Sequence, residues 1–284
     1  MLTAARILTG RQLAGRGATI FPDDVFLVSY PRSGNTWTRF LLANLLDPEH
    51  PATFGDIESR IAEIYFNYDH VLRRLPRPRI LKSHEAFAPR YPRVIYIVRD
   101  PRDVAVSFYH HNIKWRTIAE GYPIEEFIPR FIAAQYDPWA GSWGDNVKSW
   151  ISTRRGSSKF LLVRYEDLKQ NTQRELLRIA EFLREAGFSK IATSPETIAQ
   201  AIERSTPERM RVLEKEQSKQ HVQLKRTRQD KPFIGAATSG GWRSALSERS
   251  VGLIEDAWGD VMDGMGYSRS QTLQEASIDH SGRA

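Results

Sequence analysis

Residues 25–37 read VFLVSYPRSGNTW, an apolar run of strand length followed by a polar turn and the opening of a helix. The run stops at Pro31, and Trp37, Phe40, Leu41 and Leu45 then recur at helical spacing. The same alternation returns downstream. Residues 94–98 (VIYIV) run into Asp100 and Pro101, a natural N-cap and first helical position. Residues 160–165 (FLLVRY) precede a helical stretch over 172–186, and a shorter run at 79–83 suits a further strand. Apolar strands without polar alternation, separated by helices, indicate a parallel sheet covered on both faces. The expected fold is therefore α/β, a single domain with a central parallel sheet flanked by helices and a P-loop-like strand-loop-helix. Ligands of such sheets bind beyond the carboxyl ends of the strands. YPRSGNT, KSH and RDPRD all stand at those ends.

A chain of 284 residues, 40% hydrophobic and 26% charged, is an ordinary globular composition with room for one large core. Its longest apolar runs, 94–98 and 160–163, are far below the roughly 20 residues of a membrane span. The absence of cysteine removes disulfides, thiolate zinc sites and cysteine nucleophiles, and it suits a reducing, cytoplasmic setting. A net charge of +7 favours an anionic ligand, although a generally basic protein accounts for the same figure. No nucleic-acid partner is indicated. Residues 1–20 carry Arg6, Arg11 and Arg16 without an acid and without the apolar core of a secretory signal, so a mobile basic segment is expected. The domain is placed at 21–267, and the polar residues 268–284 are expected to be disordered. Residues 214–231 form a strongly polar run, readable as an exposed loop, the solvated end of a helix, or a lid.

The turn at residues 30–37 has the makings of a phosphate cradle, since backbone N–H groups and the helix dipole face an anion there. Gly34 permits close backbone approach, Ser33, Asn35 and Thr36 offer donors, and Arg32 adds a fixed charge. It is not the nucleoside-triphosphate loop, because the first glycine of that motif is missing and no lysine follows the second.

YPRSGNTW resembles the 5′-phosphosulfate loop of sulfotransferases dependent on 3′-phosphoadenosine 5′-phosphosulfate (PAPS), commonly Y-P-K-S-G-T-T-W. VRDPRDVAVSFYHH at 98–111 resembles that family's 3′-phosphate segment, and Lys82-Ser83-His84 matches its catalytic strand end. GSWGDNVKSW at 141–150 and VRYEDL at 163–168 match in order and approximate spacing. The resemblance runs from about residue 21 to 267. It implies PAPS as co-substrate, adenosine 3′,5′-bisphosphate (PAP) as product, and no metal, in keeping with the lack of a metal-ligand cluster.

The resemblance also implies roles. Arg99 and Ser107, eight residues apart and nearly on one helical face, would hold the 3′-phosphate. Trp37 would lie against the adenine, with Ser205 and Tyr165 beside the nucleoside, while Pro207 stands where a stacking phenylalanine is common. Arg32, Thr36 and Lys82 would stabilise the leaving bisphosphate. Arginine at 32 keeps the charge but stays protonated, so Lys82 is the better proton donor. His84 is the expected general base, because a neutral imidazole titrates in the useful range.

The chain departs from the family at 233–242. There F-x-R-K-G-x-x-G-D-W is replaced by FIGAATSGGW, so the Arg-Lys-Gly grip on the 3′-phosphate becomes Gly235, Ala236 and Ala237. Arg226, Arg228 or Lys231 is the hypothetical source of the missing charge. The dimer motif K-x-x-x-T-V-x-x-x-E is absent at 243–252, which leaves the oligomeric state open. Tyr65, Phe66, Tyr68, Trp115, Tyr122, Trp139 and Trp143 suit an acceptor such as a phenol, a hydrophobic alcohol or a sugar, and equally suit core. Two rivals stand beside the sulfotransferase reading: a non-catalytic bisphosphate-binding module, and an ATP-dependent phosphotransferase, for which no set of metal-binding carboxylates is seen.

Overall fold

Five strands pair in parallel: β1 (Val25–Ser29), β2 (Ile61–Glu63), β3 (Ile80–Ser83), β4 (Arg93–Val98) and β5 (Phe160–Arg164), in the spatial order β2-β3-β1-β4-β5. They belong to a computed structural model that describes residues 13–270 apart from 138, 218, 220–223, 236 and 237. The longer helices are α1 (Asn35–Leu46), α2 (Pro101–Lys114), α3 (Ile124–Ile132), α4 (Trp143–Arg154), α5 (Thr172–Glu185), α6 (Pro195–Arg204), α7 (Pro207–Gln217) and α8 (Glu248–Gly264).

β1 is central and buried along its whole length. Phe26 and Val28 point into one core, with Phe108 of α2, Phe131 of α3, Trp150 of α4 and Trp258 of α8. Val25 and Leu27 point into the other, with Phe40 of α1, Leu176 of α5, Ile198 of α6 and Met210 of α7. A strand that is apolar on both faces has nowhere to place a polar residue, which is why residues 25–30 show no alternation. The Phe26 ring stacks on Tyr91 with centroids 3.6 Å apart.

Helix starts follow the expected chemistry. The Asp100 carboxylate accepts from the Arg102 N–H at 2.9 Å, with Pro101 in the first position of α2. Ser142, Asn171, Ser194 and Ser247 cap α4, α5, α6 and α8 in the same manner. α1 differs: its N-cap is Gly34, and no side chain covers its first turn.

Three expectations change. β2 escaped notice because three residues are too few to show a period. Tyr165 begins a short helix, Tyr165–Gln170, instead of ending β5. Residues 13–20, expected within the mobile segment, are docked: Ala14 and Ala18 are buried, and Asp69 accepts from the Thr19 N–H at 2.6 Å and its hydroxyl at 2.9 Å. Their hold comes from small buried side chains, backbone bonds and an ion pair of Arg16 with Glu85 at 3.0 Å, partners that lie far away in the chain. Residues 1–12, 271–284 and, in the polar run, 218 and 220–223 lie outside the described residues. The end of that run is pinned, since buried Lys114 donates to the carbonyls of Arg228 at 2.9 Å and Lys231 at 2.5 Å.

A buried ion pair secures the docked segment. Arg79 meets Asp24 through Nε at 2.7 Å and a second nitrogen at 2.9 Å, and also donates to the carbonyls of Leu72 and Thr19 at 2.5 Å each. Both side chains are almost wholly inaccessible, at 1% and 0% exposure. Removing one member of such a pair leaves the other charge buried and alone, at a cost of about 3–5 kcal/mol. Arg79→Met should therefore lose about that much unfolding free energy in a urea titration. A loss below about 1 kcal/mol would show that Asp24 does not depend on its partner.

Candidate functional site

The parallel register sets three strand ends side by side. Val28 pairs with Ser83 and Ser29 with Ile97, so the loop after β1, the Lys82-Ser83-His84 corner of β3 and Arg99 after β4 meet at one edge. β1 has β3 on one flank and β4 on the other, which makes this the switch point of the sheet. A cavity of about 820 Å³ opens there. Every sequence-predicted site residue lines it except Ser33, whose side chain is enclosed.

The loop is shaped by backbone conformation. Arg32 and Gly34 have φ of 68° and 94°, and a Cβ on Gly34 would come within 2.4 Å of the Tyr165 ring. Only glycine satisfies both conditions. The Ser33 hydroxyl is buried without a partner. Asn35 turns its amide inward, donating to Ser29 Oγ at 3.2 Å and to the Leu27 carbonyl at 3.4 Å, so it braces the end of β1. With no side chain capping α1, its first N–H groups are left to the cavity.

Two arginines frame the loop. Arg32 donates through Nε to Ser107 Oγ at 3.2 Å and through a terminal nitrogen to the Phe233 carbonyl at 3.2 Å, with its guanidinium 5.1 Å from the Phe233 ring centre. Burial, and then the charge of Arg99, push the Arg32 pKa down to about 10, so the group stays cationic at neutral pH. Arg99 donates to the carbonyls of Arg32 at 3.1 Å and Thr238 at 2.9 Å and lies 4.5 Å from the Tyr165 ring centre. Its Nε is buried without a partner. Ser107 thus sits beside Arg32 in this structure, on the helix that Arg99 precedes.

At the end of β3, Lys82 is buried and pairs with Glu63 of β2 at 2.5 Å. Burial lowers the Lys82 pKa, and the Glu63 charge opposes that shift. His84 Nδ1 lies 2.7 Å from the Ser29 carbonyl oxygen. A carbonyl only accepts, so Nδ1 carries the proton and Nε2 holds the lone pair. Burial, reinforced by the Lys82 charge, holds the His84 pKa well below the ordinary histidine value, and the ring is neutral near pH 7.

Sequence reasoning missed what holds these groups. Asn146 donates to the His84 carbonyl at 3.1 Å, Trp150 to the Glu85 carbonyl at 2.9 Å and Trp143 to the Arg99 carbonyl at 3.1 Å. All three lie on α4, within GSWGDNVKSW, whose resemblance to the family's motif was the available signal. Glu63 had no signal, since it falls in the short strand that periodicity cannot show. Asp103 accepts from the N–H groups of Gly240 at 2.7 Å and Trp242 at 3.1 Å, which fixes the turn bearing Thr238.

On the opposite wall, Trp37 donates to the Ser205 carbonyl at 2.9 Å and meets Tyr165 edge-on, centroids 5.8 Å apart. The Ser205 hydroxyl is enclosed and accepts from Asn44 at 3.0 Å, so Ser205 lines the cavity as a brace for Trp37. Of the aromatic residues considered for the acceptor side, Phe66 and Trp115 line the cavity. Trp143 is core, and Trp139 is 69% exposed. Arg228 pairs with Asp230 and Glu120, and Lys231 with Glu120. Of the three candidates for the missing charge, only Lys231 lines the cavity. Ala236 and Ala237 lie outside the described residues.

Gly34→Ala tests the loop directly. The strained φ and the clash with Tyr165 should cost about 1–3 kcal/mol of stability or force the loop open. Denaturant titration together with calorimetric binding of adenosine 3′,5′-bisphosphate checks this; wild-type values in both would refute the close approach.

Residues 22–266 match the model of the sulfotransferase domain. Mouse sulfotransferase 2B1 is 33% identical over 183 residues, spanning 60% of this chain and 53% of that protein. The Arabidopsis thaliana cytosolic sulfotransferase 12 is 27% identical, covering 87% of this chain and 80% of its own length. The chain thus spans about half the length of the first of these relatives and most of the second. Among solved structures, mouse sulfotransferase SULT7A1 with PAP superposes at a TM-score of 0.69, with 21% identity and coverage of 95% and 92%. A retinol dehydratase with retinol and PAP superposes at 0.71, with 22% identity and coverage of 88% and 84%. With a matching domain model over nearly its whole described length and a strand-end site of the geometry described above, the chain belongs to the sulfotransferase family.

Proposed function

We propose that this protein transfers a sulfuryl group from PAPS to a hydroxyl, or an amine, of a small acceptor in the cytoplasm. The observation that carries the reading is the fixed tautomer of His84. Nδ1 is committed to the Ser29 carbonyl, and among the described residues nothing bonds Nε2, which faces the cavity shared with Lys82 and Arg32. In the proposed step the acceptor proton passes to His84 Nε2 as the new bond to sulfur forms. The bond from sulfur to the 5′-phosphate oxygen breaks, and its electron pair leaves with the bisphosphate.

Charge therefore grows at the mouth of the loop, where Arg32, Lys82 and the first turn of α1 supply cations and N–H donors. Arg32 acts by its fixed charge. Lys82, whose pKa is lowered by burial, is the group suited to return a proton to the leaving oxygen. Arg99, Ser107 and the Asp103-held turn are suited to the 3′-phosphate, and Trp37 to the adenine. The partnerless Arg99 Nε marks a polar atom that a bound bisphosphate would approach.

Adenosine 3′,5′-bisphosphate at about 100 times its dissociation constant should add about 2.7 kcal/mol of stability, read as a thermal shift. Stabilisation by ATP with magnesium and none by the bisphosphate would overturn the reading. His84→Ala should lower turnover by about 10²–10⁴-fold while retaining bisphosphate binding; near-normal turnover would remove His84 from its role.

The pH dependence has a definite sign. A base must be neutral to act, and His84 binds its proton less tightly here than a free histidine. The acid limb of kcat/KM for PAPS, which reports the free enzyme, should therefore fall below pH 6.5, the ordinary histidine value. A limb above that value would contradict the assignment.

A further inference from the structure

His111 lines the same cavity as His84 but has no part in the step above. It lies on α2, one helical turn beyond Ser107, with Phe108 at a centroid distance of 6.0 Å, Trp115 at 5.4 Å and Phe233 at 6.2 Å. These three rings fix the plane of the imidazole. Its Nδ1 lies 3.4 Å from a terminal nitrogen of Arg32. A guanidinium can only donate, so Nδ1 must hold a lone pair and the proton of the neutral ring resides on Nε2. Burial, and then the Arg32 charge, hold the pKa of His111 well below the ordinary histidine value, which keeps the ring in that neutral form.

The two cavity histidines are thus opposite tautomers. His84 presents a lone pair and His111 an N–H, each on Nε2. Among the described residues no protein group accepts from His111 Nε2, and that atom is not among the buried atoms lacking a partner, so it is open to the cavity. A donor in a partly apolar cavity favours a ligand that accepts from it and penalises one that leaves it unmatched. The attacking oxygen is a poor match, because a hydrogen bond to its lone pair would weaken the nucleophile. An oxygen on the neighbouring atom of the acceptor satisfies the donor at no such cost.

We infer that His111 is a specificity-determining residue that selects acceptors carrying a second oxygen next to the reacting hydroxyl, as in a catechol, a 1,2-diol or an α-hydroxy ketone. The inference rests on the sulfuryl-transfer reading only for which hydroxyl reacts. 2-Naphthol and 2,3-dihydroxynaphthalene differ by the neighbouring oxygen and serve as probes. Calorimetry in the presence of adenosine 3′,5′-bisphosphate gives their dissociation constants without requiring turnover.

The wild-type protein should bind the diol about tenfold more tightly, the size of one well-placed hydrogen bond. In His111→Phe, which keeps a ring among Phe108, Trp115 and Phe233, the ratio should fall below about twofold. His111→Gln, which restores an N–H, should recover much of it. The ratio is taken within each variant, so any change in donor binding cancels. No preference in the wild type, failure of the diol to bind it, or a preference that survives in His111→Phe would overturn the inference. If the bisphosphate itself does not bind, the sulfuryl-transfer reading fails, and the same ratio on the ligand-free protein still decides the role of His111.

Discussion

In a parallel sheet all strands end at the same edge, and here that edge is where the chemistry collects. Pairing of β1 with β3 on one side and β4 on the other places the loop at 31–36, the Lys82-Ser83-His84 corner and Arg99 within reach of one another. A slip of one residue between β1 and β3 would turn Lys82 to the other face and separate His84 from the Ser29 carbonyl. The register itself depends on β1 being buried on both faces, since Val25, Phe26, Leu27 and Val28 fill two cores that leave no alternative fit.

Around that edge several polar groups fix the orientation of another. The Ser29 carbonyl sets the tautomer of His84, Arg32 sets that of His111, Glu63 faces Lys82, and Asp103 holds the turn that presents Thr238 to Arg99. Preorganised charges of this kind do not need to rearrange as charge develops in a reaction, which is the main way a buried polar site accelerates one. The cost falls on stability: a histidine, a lysine and two arginines sit at the end of a hydrophobic sheet. Buried partners such as Glu63 and aromatic faces such as Tyr165 and Phe233 offset it.

α4 shows how far the supporting structure extends. Trp143, Asn146 and Trp150 follow one another at intervals of three and four residues, so one helix face delivers three donors to the carbonyls of Arg99, His84 and Glu85. These three carbonyls, just beyond the ends of β3 and β4, are thereby held by one helix. Two of the donors are tryptophans whose rings also fill the core beneath β4, so packing and positioning come from the same residues.

Much of the molecule was legible in the sequence. Unalternating apolar runs gave a parallel sheet, Asp100 and Pro101 marked a helix start, and Pro31 and Gly34 marked the turn between β1 and α1, because period, capping and backbone freedom are local properties. Other features are not local. That Glu63 meets Lys82, that the Asn35 amide donates to the end of β1, that Ala14 and Ala18 of the docked 13–20 segment are buried, and that Arg32 fixes the proton on His111 all depend on groups distant in the chain meeting at set distances and angles. Sequence determined which strand ends would carry charge and donors. Tertiary structure decided which way each donor and lone pair points, because a tautomer or an ion pair is fixed only by the partner that the fold brings to it.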